Sequence, residues 1–256
     1  MPPPRKRRCT EQPAAGQMQP FQPGLPKTPL LQVGHHKPGF PPVLHPQVAA
    51  HTLILGTCPG DVSLKKAEYF ANPSNTFWHI AGKALGFDRS SVPYEDQEAS
   101  LGVAGYALWD VLSERQGPGS LDSQTVPGSD RPNDIEGLLL AVQTIHRVCI
   151  NSKATAHFFR RHHRDWLQKP QTWCLGNAPA REVFGKLVPE TQGPFKWTLL
   201  VMDSTSPANA PSKKDRAAAG IAEGRGVEGI AEYKLLHTPR GRWRECFGEQ
   251  LPIGTP

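Results

Sequence analysis

Thr52-Leu53-Ile54-Leu55-Gly56-Thr57-Cys58-Pro59-Gly60 is the stretch whose reading decides the fold. A short apolar run that stops at a glycine fits a buried strand ending in a tight turn, the opening of an α/β sheet. The same texture recurs downstream. Asn75 to Phe87 sets Phe77, Trp78, Ile80, Ala81, Ala84 and Leu85 at near-helical spacing, with Gly86 placed to stop the helix. Tyr106 to Leu112 is ambiguous between strand and helix, and Asp134 to Ile145 suits a helix following Pro132. Arg147 to Ile150 suits a strand that breaks at Asn151-Ser152 before a helix through Phe159. Trp197 to Met202 is a further apolar strand, ending at Asp203-Ser204-Thr205-Ser206-Pro207.

Strand, polar turn and helix in repetition predict a three-layer α/β/α sandwich with a short, mainly parallel central sheet. Ligands of such folds bind at the carboxyl edge of the strands. Gly56 to Gly60, Asn151-Ser152 and Ser204 to Ala208 are therefore expected to converge on one cleft. Cys149-Ile-Asn-Ser-Lys-Ala-Thr-Ala-His-Phe and Cys174-Leu-Gly-Asn-Ala-Pro-Ala-Arg-Glu-Val-Phe echo each other weakly, as a second strand-turn-helix unit or by chance.

Around this pattern the composition is uneven. The 256 residues carry 29 Lys+Arg against 23 Asp+Glu, a formal charge of +6, and only 38% are hydrophobic. Residues 1–50 hold 12 of the 27 prolines and six basic side chains against the single acid Glu11. Proline at that density blocks helices and ladders, so an extended, disordered tail is expected there. Its run Arg5-Lys6-Arg7-Arg8 reads as a nuclear-import address, a phosphate-binding arm or a merely solubilising tail. The expected compartment is the nucleus, with the cytoplasm as the other. Apolar runs such as Leu138 to Val142 fall far short of the roughly 20 residues of a bilayer span. With no charged-then-apolar leader at the start, a membrane or secreted protein is not expected. The five cysteines are scattered and form no Cys-x-x-Cys pair, which argues for reduced thiols and against disulfides or a structural zinc site.

Glycine and proline in Gly56 to Gly60 shape a turn whose backbone N–H groups can approach a planar or anionic ligand. No Walker pattern and no dinucleotide fingerprint follows, which disfavours nucleoside triphosphate or NAD chemistry. Ser204 to Ala208 offers hydroxyls and turn N–H groups, as a phosphate clamp or as an ordinary strand-end turn.

Read together, these segments resemble a family. Leu55 to Gly60, then Ser63-Leu64, then Tyr69-Phe70-Ala71-Asn72-Pro73-Ser74-Asn75-Thr76-Phe77-Trp78 is similar to the first motif region of the uracil-DNA glycosylase superfamily, nearest its hypoxanthine-DNA (deoxyinosine) branch. The likeness continues through Tyr106 to Leu112, Gly119 to Ser123 and Pro132 to Asp134, and resumes at Ser204 to Ala210 as the second motif. It covers about residues 50–220. The domain organisation it implies is a tail over 1–50, a catalytic domain over 51–236 with an insertion at about 165–196, and a C-terminal tail over 237–256.

The resemblance implies a monofunctional hydrolase that flips a deaminated base, hypoxanthine or uracil, out of double- or single-stranded DNA in base-excision repair. It would cut the N-glycosidic bond without metal or cofactor, and as a monomer. It places Asn75 at the scissile bond, where residue reading alone gives a helix N-cap. Gly56, Thr57, Cys58, Pro59 and Asn151 would line the base pocket, and Phe70 would be the aromatic on which the base stacks, or else core filler beside Tyr69. Ser63, Ser204, Thr205, Ser206 and Pro207 would face DNA. The sequence departs from the family at three places: Cys58 stands where an Asp or Asn is usual, Asn72 where the near branch has His, and Asp203 where Pro is common. The insertion makes Asn177 a rival to Asn151 as the middle asparagine. Other readings are a weakened relative that only binds damaged DNA, and a uracil- or mismatch-specific glycosylase.

Overall fold

The computed structural model describes residues 36–190 and 193–248. The Arg5-to-Arg8 run and Cys9 lie outside the described residues.

Among the described residues eight strands form two sheets: β1 (His36–Pro38), β2 (Thr52–Gly56), β3 (Tyr106–Asp110), β4 (Leu112–Gln116), β5 (Arg131–Pro132), β6 (Arg147–Asn151), β7 (Trp173–Leu175) and β8 (Trp197–Met202). The central sheet has the order β3-β2-β6-β8-β7 and every pair in it is parallel. β1, β4 and β5 make a small antiparallel sheet. Helices α1 (Asp61–Lys66), α2 (Phe77–Leu85), α3 (Tyr94–Val103), α4 (Ile135–Ala141), α5 (Lys153–His162), α6 (Arg164–Leu167), α7 (Ala178–Phe184), α8 (Lys213–Ala218), α9 (Gly226–Glu232) and α10 (Arg244–Phe247) complete the described body.

Alternation along the strands builds the three layers, because successive side chains leave a strand on opposite faces. Leu53, Leu55, Val148, Ile150, Leu199 and Val201 point into one core with α4 to α7. Ile54, Cys149, Leu200 and Met202 point into the other, with α2, α9 and α10. Both faces are covered, which is why the strands read as continuous apolar runs. Tyr106 to Leu112 was ambiguous for the same reason: its first five residues are all buried, as β3.

The expected elements form where the sequence placed them, and the two echoing segments are both strand-turn-helix units. β6 leads into α5 through the N-cap Ser152, and β7 into α7 through the N-cap Asn177. Gly86 ends α2 at φ +86°, a backbone conformation that glycine adopts without strain.

The expected boundaries differ at both ends. Residues 36–50, assigned above to a disordered tail, supply β1 and bury Lys37 and Ala50, while Phe40 and Val43 pack against the second core. Residues 237–248, assigned to a C-terminal tail, put Trp243, Cys246 and Phe247 fully into that core. The stretch 165–196, read as an insertion, carries the edge strand β7 and α7, and its Trp166 and Trp173 pack ring against ring with Trp197 of β8. No described helix is long and apolar enough to cross a membrane.

Candidate active site

At the carboxyl ends of β2, β6 and β8 lies a cavity of about 240 Å³. Its lining includes the turn Gly56 to Gly60, Phe70, Asn75, Asn151 and Ser204 to Ala208. The three segments expected to converge do so, at the point where the chain leaves β2 for neighbours on opposite sides.

Phe70 is half-buried and held in a left-handed conformation (φ +52°) that a bulky side chain adopts only under constraint. The constraint is visible. Arg89 donates to the carbonyl oxygens of Asn75 (3.1 Å), Ala71 (3.4 Å), Asn72 (3.4 Å) and Phe70 (3.5 Å), gathering the whole 70–75 turn. One ring face of Phe70 packs on Phe77, centroids 4.4 Å apart. Asn75 follows in the same turn. Its Oδ1 accepts the Phe77 N–H (2.9 Å) from one residue ahead of the N-cap position, which Thr76 occupies rather than Asn75, and its side chain lines the cavity. No acceptor among the described residues takes its Nδ2.

Asn151 and Thr205 face each other across β6 and β8. Asn151 Nδ2 donates to Thr205 Oγ1 (2.7 Å), and its Oδ1 accepts the Thr205 N–H (3.0 Å). Both residues are buried, and Thr205 turns its hydroxyl to Asn151 rather than outward. Asn177 is elsewhere: it caps α7 and bonds the Val201 backbone on the β7 side, outside the cavity lining. Of the two asparagines, Asn151 is the one that lines the cavity. Ser63 is buried too, its Oγ accepting the Ala71 N–H (3.2 Å), which ties α1 to the Phe70 turn. Ser206 and Pro207 stand nearer the surface, with Ser206 Oγ accepting the Ala208 N–H (3.3 Å).

The Ser204-to-Ala208 loop hangs from several anchors. Lys234, fully buried, donates to the Ser204 carbonyl, and burial pushes its pKa down to about 8. Trp243 Nε1 donates to the Asp203 carbonyl (2.8 Å), and the Thr76 N–H to that of Thr205 (3.0 Å). Cys58 donates weakly from Sγ to the Lys37 carbonyl (3.6 Å). Burial, with Asp110 second, pushes its thiol well up, and the residue lines the cavity.

Asp122, Thr155, Asp110, Arg89 and Lys234 were not singled out as site residues from the sequence. Thr57 Oγ1 donates to Asp122 (3.0 Å) and meets Thr155 Oγ1 at 2.6 Å, while Thr155 bonds the Asn151 carbonyl (2.8 Å). Asp110 ends β3 against the cavity. Its place at a strand's carboxyl end was a signal available in the sequence; Arg89 and Lys234 gave none. Among the described residues no group of three or more His, Cys, Asp or Glu could hold a metal.

A half-open pocket with an aromatic wall and convergent polar groups, at the carboxyl edge of a parallel sheet, is where α/β proteins of this kind place their ligand sites. A profile of the uracil DNA glycosylase superfamily matches residues 44–221, and the chain belongs to that superfamily. A hypoxanthine DNA glycosylase of Methanosarcina acetivorans is 34% identical over 122 residues, spanning 48% of this chain and 75% of that protein. One of the same name from Methanosarcina barkeri is 38% identical over 88 residues, spanning 34% and 54%. The solution structure of a protein assigned as a uracil DNA glycosylase, also from Methanosarcina acetivorans, is 26% identical with a TM-score of 0.48, covering 77% of this chain and 94% of that one.

Proposed function

We propose that this protein hydrolyses the N-glycosidic bond of a deaminated base in DNA, with hypoxanthine as the first candidate. One juxtaposition carries the reading. Phe70, Asn75 and the Gly56 to Gly60 turn share a single pocket, in a chain similar to two proteins named hypoxanthine DNA glycosylase.

Bond cleavage leaves positive charge on the sugar and negative charge on the departing base, so fixed hydrogen-bond donors beside the base favour the transition state over the ground state. The N–H groups of Thr57 and Cys58 are not spent on any acceptor among the described residues, and both residues line the pocket at the end of β2. Asn75 Nδ2 is a further donor, held in orientation because Oδ1 is committed to the helix start. It serves to bind the base or to orient the attacking water. The exposed face of Phe70 is the platform for the extruded ring, and stacking there offsets part of the cost of unstacking. Ser206 and Pro207, at the rim, are placed to meet the DNA backbone. On the strength of the Arg5-to-Arg8 run, we place this reaction in the nucleus.

Purified protein should be incubated with duplexes carrying inosine, uracil, xanthine or ethenocytosine, and alkali-labile abasic sites scored. Product from inosine is expected. Tight binding with no product from any of the four would replace the enzyme with a damaged-DNA-binding module.

A further inference from the structure

Asp110 poses a problem that the proposed function leaves unsolved. Its side chain is 3% exposed, and neither carboxyl oxygen has a hydrogen-bond partner among the described residues; Oδ2 is wholly enclosed. An ionised carboxylate in that position would forfeit its hydration without compensation, a cost proteins avoid by keeping the proton.

Its placement is constrained from the backbone. Asp110 pairs with Gly56 in the β3–β2 ladder, Val111 N–H donates to the Gly56 carbonyl (2.8 Å), and Asn133 Nδ2 holds the Asp110 carbonyl (2.8 Å). A Cβ on residue 56 would lie 2.3 Å from Asp110 Oδ1 and 3.2 Å from Phe70 Cζ. The carboxyl and the edge of the stacking ring thus meet over the bare α-carbon of Gly56, and glycine is required there for this close approach. A base lying on Phe70 presents its edge to Asp110.

Resting on the glycosylase reading, we propose that Asp110 acts as a neutral carboxylic acid, donating a hydrogen bond from Oδ1 to an acceptor atom of the extruded base. The bond strengthens as the base gathers negative charge on departure, so Asp110 is a catalytic residue rather than a framework one. The neighbours agree. Of the groups facing it, Asp122 disfavours a second negative charge, Arg115 favours one, and Cys58 and Tyr69 stay neutral in the working range because burial pushes both up. Burial foremost, then Asp122, carries the Asp110 carboxyl to about 8.

The test is the pH profile of single-turnover base release on saturating deoxyinosine duplex, for the parent, Asp110→Asn and Asp110→Ala, with thermal melts to establish that each is folded. The parent rate should fall as pH rises through about 8. Asp110→Asn keeps a donor that does not titrate, so it should retain at least about a tenth of the rate and lose the alkaline fall. Asp110→Ala should lose on the order of ten- to a hundredfold at pH 7. A parental rate in Asp110→Ala overturns the proposal, as does an alkaline fall that persists in Asp110→Asn, which would move the titration to a group such as Lys234. A parent that releases none of the four bases overturns the glycosylase reading itself, whereas an active parent with indifferent variants overturns only the role of Asp110.

Discussion

Replacing Asn151 by alanine removes the tie between β6 and the loop after β8, and the structure sets the size of the loss. Thr205 is 1% exposed, and both its N–H and its hydroxyl are paired with the Asn151 amide at 3.0 and 2.7 Å. Deletion strands two buried polar groups, each costing about 1–3 kcal/mol, so a destabilisation of about 2–5 kcal/mol is expected. In a domain of this size that lowers the melting temperature by roughly 5–15 °C. Thr205→Val removes the hydroxyl and leaves the backbone N–H in place, so the double variant isolates one bond. The cycle Asn151→Ala, Thr205→Val and both together, read by urea unfolding followed through tryptophan fluorescence, should show coupling of about 1 kcal/mol. Because Lys234, Trp243 and Thr76 hold the same loop, catalysis should survive and the loss should appear mainly in DNA affinity. Additive single variants, or an Asn151→Ala cost under about 1 kcal/mol, would refute the tie.

Three further outcomes are expected. The folded Asp110 carboxyl keeps its proton to about pH 8, whereas its ordinary value is 3.8. Stability contributed below the ordinary value is therefore lost as pH rises to about 8, and Asp110→Asn should gain on the parent by on the order of a few kcal/mol between pH 4 and pH 8 in thermal melts. Identical pH dependence would contradict the burial argument. Phe70→Ala should slow base release more than Cys58→Ser, by an amount set by roughly 1–3 kcal/mol of stacking, and the gap should narrow on unpaired deoxyinosine; a Cys58→Ser loss as deep as that of Asn75→Ala would reverse the assignment. Residues 1–35 carry five basic side chains against one acid, so deleting them should weaken nonspecific DNA binding and flatten its salt dependence without altering single-turnover cleavage. The cut belongs at 35, because Lys37 is buried and paired with Asp61.

What the sequence made legible was whatever local pattern controls. Thr52 to Gly56 and Trp197 to Met202 announced themselves as strands because both faces are buried, and Gly86 marked the end of α2 because only a left-handed residue fits there. The convergence of Gly56 to Gly60 with Asn151 and Ser204 to Ala208 followed from one rule about strand ends. The two boundaries were hidden for a physical reason. Trp243, Cys246 and Phe247 are interleaved with Arg242, Arg244 and Glu245, so the burial of α10 depends on α2 and leaves no apolar run. Phe40 and Val43, set among prolines, earn their place only through contact with the second core. The choice between Asn151 and Asn177 was likewise a matter of space, since both follow a strand and only one of those strands ends at the cavity. The Asp110 environment belongs to the same class: the residue was visible, but its lack of partners was not.

The central claim is that the pocket breaks a glycosidic bond with the amide of Asn75. The measurement that meets it most directly is single-turnover release of free hypoxanthine from a paired deoxyinosine duplex, quantified by mass spectrometry for the parent and Asn75→Ala at equal DNA occupancy. Hypoxanthine freed by the parent and slowed at least about a hundredfold in the variant, with DNA binding little changed, is the predicted result. Equal rates in the two proteins would contradict it.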